Sequence, residues 1–337
     1  MVNFILQMQT TNSILLSSSS KSELISKFIQ TVNVRNENTA RQYYSRLLIF
    51  QRFVLKEHYY NDNNNNKKNK KIKNNVVDSL IQKLKIGELD PYDILNNYCI
   101  FLQNNYNLSS ITFKDKITTV KTFFEYNDIE ISPRKFKLKV RYPKTVFRHK
   151  EAIDKNDIVS ILNGCSDIKL KTYVMLLAST GLRAVEALSI RLTDLELESN
   201  PTGKLRIRGQ YTKTKVDRYV FITKELKEQL SKWLDYKYRT RRICYKDSKT
   251  GKNVTDYRTP EKNPNKLIFS LYLVDNPRPE SIYNNIAADF AKTLDRIGMD
   301  SREDDGNENS RRKITLHSFR RFVKSTISDL GYSDYSE

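Results

Sequence analysis

The chain has 337 residues, enough for two domains that each bury a core without disulfide or metal staples. Lys and Arg number 59 against 39 Asp and Glu, and the net charge of +20 excludes acidic solvating proteins and points to a polyanionic partner. With 38% hydrophobic and 11% aromatic residues it is no disordered basic tail, and no apolar run approaches the roughly eighteen residues of a membrane span. Residues 1–20 hold two short apolar patches and a serine run without a basic n-region, and read as a loose tail. Helical spacing begins at Leu24, Ile25, Phe28 and Ile29. A second helix follows Asn38 as N-cap, with Ala40, Tyr43, Tyr44, Leu47, Phe50 and Val54 on one stripe. Residues 61–75 are almost entirely Asn and Lys and read as an insertion that cannot support a core. Helical patterns return over Val76–Leu84, Asp93–Gln103 and from Ser109 or Ser110, where Phe113, Ile117, Val120 and Phe124 share a face. Residues 21–130 therefore read as a small all-α domain.

Residues 131–150 read differently. Pro133 and Pro143 discourage regular structure, and the basic residues from Arg134 to Lys150 face no acidic residue. Lys135, Lys137, Lys139 and Arg141 alternate with apolar residues, which in an extended chain puts the charges on one side. The segment reads as a basic linker tracking a DNA backbone, or more plainly as an edge strand or solvated linker. From residue 151 the elements are helices over Ile153–Leu162 (capped by Asp154) and Leu170–Ser179, a break at Thr180–Arg183 and a restart over Ala184–Ile190. Short strands follow at Thr193–Leu197, Lys204–Arg208 and Arg218–Ile222, then helices at Lys224–Tyr238, Ser281–Ile297 and Ser318–Asp329. Tyr238–Asn265 and Ser301–Lys313 read as polar loops. The fold class is mainly α with a small antiparallel β-sheet, α+β.

Cys99, Cys165 and Cys244 form no C-x-x-C pair, so neither a disulfide framework nor a zinc site is expected, and the plain compartment is a reducing, cytoplasmic one. Three other segments look like a constellation. In Thr180-Gly181-Leu182-Arg183, Arg183 follows a glycine break at a helix start, where N–H groups and the dipole favour an anion, and Glu186 lies three residues on. Alone, the pair equally reads as an ordinary surface pair. In Thr212-Lys213-Thr214-Lys215, a lysine at a hairpin tip is a point charge and proton donor. In Leu316-His317-Ser318-Phe319-Arg320-Arg321, His317 and Arg320 are three apart at a helix start and can offer a donor and a bidentate guanidinium to one phosphate.

T-G-L-R-x-x-E, then a hairpin [ST]-K-T, then H-x-x-R, after a basic helical domain, resembles the tyrosine recombinase or phage integrase family over roughly residues 22–337. The Asn- and Lys-rich composition and the His-Ser-Phe-Arg-Arg variant are similar to an archaeal branch. The resemblance implies a two-domain DNA clamp: a core-binding domain over residues 21–130, in which Thr39 and Arg41 on the matching helix would bind DNA, the basic linker at 131–150, whose Lys135, Lys137, Lys139 and Arg141 would do the same, and a catalytic domain at 151–337 expected to lack its C-terminal nucleophile segment. It implies a metal-free transesterification through a 3′-phosphotyrosyl link, with no cofactor. Arg183 and Arg320 would clamp the non-bridging oxygens, Lys213 protonate the leaving 5′-oxygen, His317 donate to the phosphate or assist proton transfer, and Glu186 hold the arginine and histidine. Lys215 competes with Lys213, and the [ST]-K-T register favours Lys213. The implied partner is double-stranded DNA, with a tetramer on two sites.

Two signature positions after H-x-x-R have no match. In register, Gly331 closes the helix that carries Arg320, and Tyr332 and Tyr335 fall too early to be the nucleophile and are expected to pack at the turn. Arg321 stands where many relatives carry histidine. The expectations are thus a C-terminally incomplete recombinase, a catalytically dead DNA-binding remnant of an integrase, or, third, a relative of type IB topoisomerases.

Overall fold

The computed structural model describes residues 22–61, 76–144, 153–198, 202–246, 248, 251–270, 278–302 and 312–332. The expected tail at 1–20, nearly all of the Asn/Lys insertion, residues 145–150 of the basic segment, most of the loop after Ser301 and Tyr335 lie outside the described residues. The chain divides into two compact units, Met1–Arg148 and His149–Glu337.

The first unit is helical: α1 (Glu23–Arg35), α2 (Glu37–Asn61), α3 (Val76–Lys85), α4 (Pro91–Asn105), α5 (Ser110–Tyr126) and α6 (Pro133–Lys139). Its core is rich in aromatic rings, with Phe50 edge-on to Tyr98 at 5.2 Å and to Phe124 at 5.8 Å. The cap before α2 is Asn36 and not Asn38, because the Asn36 Oδ1 accepts the Thr39 backbone N–H at 3.0 Å. The segment expected to be extended is instead α6. Ser132 caps it and Pro133 takes the first turn, where its missing N–H costs nothing. Ile131 and Val140, at either end of it, are buried in the core of the first unit. Helical geometry therefore puts Lys135 and Lys139, four residues apart, on one face and Lys137 on the opposite one, so the three do not form a single row.

The second unit contains α7 (Lys155–Gly164), α8 (Ile168–Thr180), α9 (Ala184–Leu188), β1 (Leu195–Glu196), β2 (Lys204–Ile207), β3 (Arg218–Phe221), α10 (Lys224–Tyr238), β4 (Arg241–Lys246), β5 (Asn253–Arg258), α11 (Pro279–Arg296) and α12 (Leu316–Asp329). Asp154 caps α7 with a reciprocal bond to Asp157, as its spacing predicts. Strands β1, β2 and β3 form an antiparallel sheet in that order, with Leu205 opposite Val220 and Ile207 opposite Arg218. Helix α8 is the buried centre: Tyr173, Val174, Leu176 and Leu177 are fully enclosed, and α10 and α12 pack on it. The expected polar loop after Tyr238 is instead the two-stranded ribbon β4–β5, in register from Arg241 opposite Arg258 to Lys246 opposite Asn253. Its pattern escapes hydropathy because the outward residues are charged or polar on both strands.

Candidate functional site

The site grows out of the end of α8. Gly181 takes a left-handed conformation (φ 62°), and its N–H closes the helix on the Leu177 carbonyl at 3.0 Å. Any Cβ there would sit 2.9 Å from Val323 Cγ1 on α12, so the glycine both turns the chain and admits the neighbouring helix. Leu182 is buried, and Arg183 emerges next as the residue before α9. The Tyr173 hydroxyl donates to the Ala184 carbonyl at 2.9 Å and ties this corner to the core.

Glu186 is 1% exposed and is the hub. Its Oε1 accepts from Arg183 Nη1 at 2.8 Å and its Oε2 from Arg218 Nη2 at 2.7 Å, while the Arg183 backbone N–H donates to Oε2 at 3.2 Å. Burial pushes this carboxyl up, but the hydrogen bonds from Arg183 and Arg218 outweigh it and hold Glu186 below the usual carboxylate range. Arg320 approaches from α12, where Phe319 is fully buried edge-on to Phe290, and its Nη1 donates to the Gly181 carbonyl at 2.6 Å. Desolvation, and then the field of Arg183, lower the Arg320 pKa; Arg218 adds to this and Glu186 opposes it. Three guanidiniums thus gather on one carboxylate, and among the described residues two positive charges are left over. Helix α9, at five residues and with the N–H of the preceding Arg183 taken by Glu186, is too short for the expected dipole contribution. The guanidiniums supply the attraction for an anion.

The hairpin between β2 and β3 is rooted by Asp217, whose carboxylate accepts the Gly209 N–H at 2.7 Å and pairs with Arg206 at 2.7 Å. Thr212 is buried and donates to the Gly209 carbonyl at 3.0 Å, so the tip is fixed and Lys213, the next residue, is exposed. Lys215 has φ 59° and its Nζ is turned back onto the Gln210 carbonyl at 3.1 Å. His317 is exposed on the first turn of α12, one turn from Arg320. Arg321 donates to Ser318 at 2.9 Å, a bond within its own helix.

Arg183, Glu186 and Arg320 are therefore brought together, and Arg218 joins them unforeseen. No local signal in the sequence marks it, because its partner Glu186 lies 32 residues earlier in the chain. In the first unit Arg41 is exposed and paired with Glu37 one turn away, and Thr39 makes the Asn36 cap contact. Lys139 is bound to Asp90 at 2.7 Å and lies over the Tyr92 ring, while Lys135, Lys137 and Arg141 are exposed. Tyr332 does not pack at the turn; it is 60% exposed. No helix of the described residues is long and apolar enough to cross a membrane, and none of their His, Cys, Asp and Glu side chains group as a metal site.

Residues 151–328 match the phage integrase family. Among curated proteins, the chain is 34% identical to tyrosine recombinase XerA of Saccharolobus solfataricus over 125 residues, 37% of this chain and 39% of that one. It is 27% identical to tyrosine recombinase XerD of Rickettsia bellii over 175 residues, 48% of this chain and 56% of that one. The matched stretches span about half the length of these relatives. In fold it is similar to a lambda integrase tetramer bound to a Holliday junction, with a TM-score of 0.52 at 11% identity, covering 99% of this chain and 85% of that one. A lambda integrase dimer bound to a core site superposes with a TM-score of 0.51 at 11% identity, covering 93% and 91%.

Proposed function

Because the chain belongs to the phage integrase family of tyrosine recombinases, we propose that it binds duplex DNA and, with a tyrosine nucleophile, cleaves and rejoins strands at a specific site. The observation that carries this reading is the surplus of positive charge around Glu186, open to solvent at Arg183 and Arg218 and backed by Arg320. A phosphodiester carries one negative charge, which grows on the non-bridging oxygens as phosphorus becomes pentacoordinate. Arg183 and Arg320 would hold those oxygens. Attack by a tyrosine oxygen forms a phosphotyrosyl ester on the 3′ side and breaks the bond from phosphorus to the 5′-oxygen. Lys213, exposed at a rigid tip, would give that oxygen its proton, and His317 would donate to a non-bridging oxygen. Glu186 and Arg218 touch none of the reacting atoms; they keep Arg183 in place. The core-binding role of the first unit and a tetramer on two sites belong to the same proposal. We assign the nucleophile to no tyrosine of this chain, Tyr332 included.

The test uses the complete reading frame and nicked duplexes carrying a site recovered by selection. An SDS-resistant protein–DNA adduct is expected, and Arg183→Ala or Arg320→Ala should each reduce its rate by about a hundredfold or more, with duplex affinity falling by about tenfold at most. Equal loss of binding and adduct would make both arginines simple backbone contacts. A second reading is a duplex-binding protein that does not cleave; Tyr332, 60% exposed beside Gly331, gives it no nucleophile among the described residues. Specific binding without an adduct would support it.

A further inference from the structure

The β4–β5 ribbon is absorbed by none of the chemistry above. Cross-strand partners share a face, so the ribbon has two. One carries Arg241 opposite Arg258, Ile243 opposite Asp256 and Tyr245 opposite Val254. Its cations are used internally: Arg258 Nε lies 2.8 Å from Asp256 and its guanidinium covers the Tyr245 ring, while Arg241 donates to the Lys237 carbonyl at 3.3 Å. The other face carries Arg242 opposite Tyr257, Cys244 opposite Thr255 and Lys246 opposite Asn253. All six are exposed, none is acidic, and neither Arg242 nor Lys246 is paired with a carboxylate among the described residues. Tyr257 is 69% exposed. One face has tied up its cations within the ribbon and its base, and the other leaves Arg242 and Lys246 without a carboxylate partner among the described residues.

The base of the ribbon is stiff. Lys237, 2% exposed, drives its ammonium onto the Leu267 and Ile268 carbonyls at 2.7 and 3.0 Å. Trp233 donates to the same Ile268 carbonyl at 3.0 Å, Arg239 stacks on Tyr236 at 3.5 Å, and Thr240 meets Thr259 across the two strands at 2.7 Å. A ribbon held this way loses little freedom on binding. A two-stranded ribbon fits the width of a DNA major groove, and at ~3.3 Å per residue Arg242 and Lys246 stand ~13 Å apart along it, far enough to reach separate phosphates.

We propose that the Arg242–Cys244–Lys246 face of this ribbon, with Tyr257 and Asn253, is a second contact for duplex DNA, separate from the Glu186 cluster. It rests on the DNA-binding reading above. The chain carries its own probe. Cys244 is exposed at the centre of the face, whereas burial pushes the Cys99 and Cys165 thiols up to about 12 and about 11 and leaves them inert. Alkylation of Cys244 by a maleimide is followed by peptide mass spectrometry on the folded wild-type chain, with and without random-sequence duplex. Several-fold slower labelling with duplex, restored by high salt, is expected. The Arg242→Gln, Lys246→Gln double variant should flatten the salt dependence of duplex affinity, by about 0.9 in log–log slope for each phosphate it no longer neutralises. Unprotected Cys244 on a duplex-bound chain, with an unchanged slope in the variant, overturns the ribbon contact alone. A wild-type chain that does not bind duplex overturns both this proposal and the DNA-binding reading.

Discussion

Two carboxylates in the second unit occupy nearly the same local setting. Glu186 follows Arg183 by three residues, Asp194 follows Arg191 by three, and each accepts the backbone N–H of its arginine, at 3.2 and 3.0 Å. Both are 1% exposed. Their surroundings part company at the side chains. Asp194 takes its side-chain partner from one guanidinium, Arg208 Nε at 3.0 Å to each oxygen, and the pair is a closed, neutral unit. Glu186 is divided between Arg183 and Arg218, with Arg320 close enough to feel both. The same motif therefore builds a structural pin in one place and an unbalanced cationic site in the other. What marks the site is the excess of charge and not the burial of the acid.

The largest effects should come from emptying either hub. Glu186→Ala leaves Arg183 and Arg218 without their shared partner, and Asp194→Ala does the same to Arg208. Each should lower stability by about 3–5 kcal/mol in denaturant titrations. The comparison sharpens with Arg208→Ala and Arg218→Ala: the first should cost stability and leave adduct formation by refolded protein unchanged. The second should slow the adduct step at unchanged duplex affinity, with Arg218→Lys recovering part of the rate. Equal catalytic losses in the two variants would erase the distinction. The Glu186 hub is also sensitive to acid. Glu186 is held below its ordinary value of 4.5, so its contribution is present above that pH and is lost as pH falls through the folded value.

A somewhat smaller effect belongs to a buried cation with no carboxylate at all. Burial pushes Lys237 down to about 8 from 10.5. The unfolded chain then binds more protons between those values, so stability should rise by up to about 3 kcal/mol as pH climbs from 8 towards 10.5. Lys237→Met should flatten that rise, because it removes the titrating amine, while Trp233 and Ser270 still donate to the Ile268 and Leu267 carbonyls and keep them satisfied. Smaller again, Gly181→Ala should destabilise by about 2 kcal/mol, from positive φ and the contact with Val323 together.

Much of the molecule is legible from residue order. The helical stripes, the break at Gly181 and the meeting of Arg183 with Arg320 follow from periodicity and motif. Arg218 is not legible, because its role depends on a partner 32 residues earlier in the chain and on the register that sets it opposite Ile207. Over Pro133–Lys139 the alternating charge suggests a strand, while Ser132 and Pro133 already spell a helix start. The β4–β5 ribbon carries a loop's composition because its outward face is polar on both strands. In each case a tertiary partner, or a cap, outweighs the local hydropathy pattern.

The most direct measurement pairs protein with phosphate. Single phosphates of the selected duplex are replaced one by one with neutral methylphosphonates, and binding is measured for wild type, Arg183→Ala and Arg320→Ala. At one phosphate, neutralisation should weaken the wild-type chain by about tenfold and leave both variants nearly unaffected. Losses that simply multiply at every position would contradict a phosphate held by the arginines around Glu186.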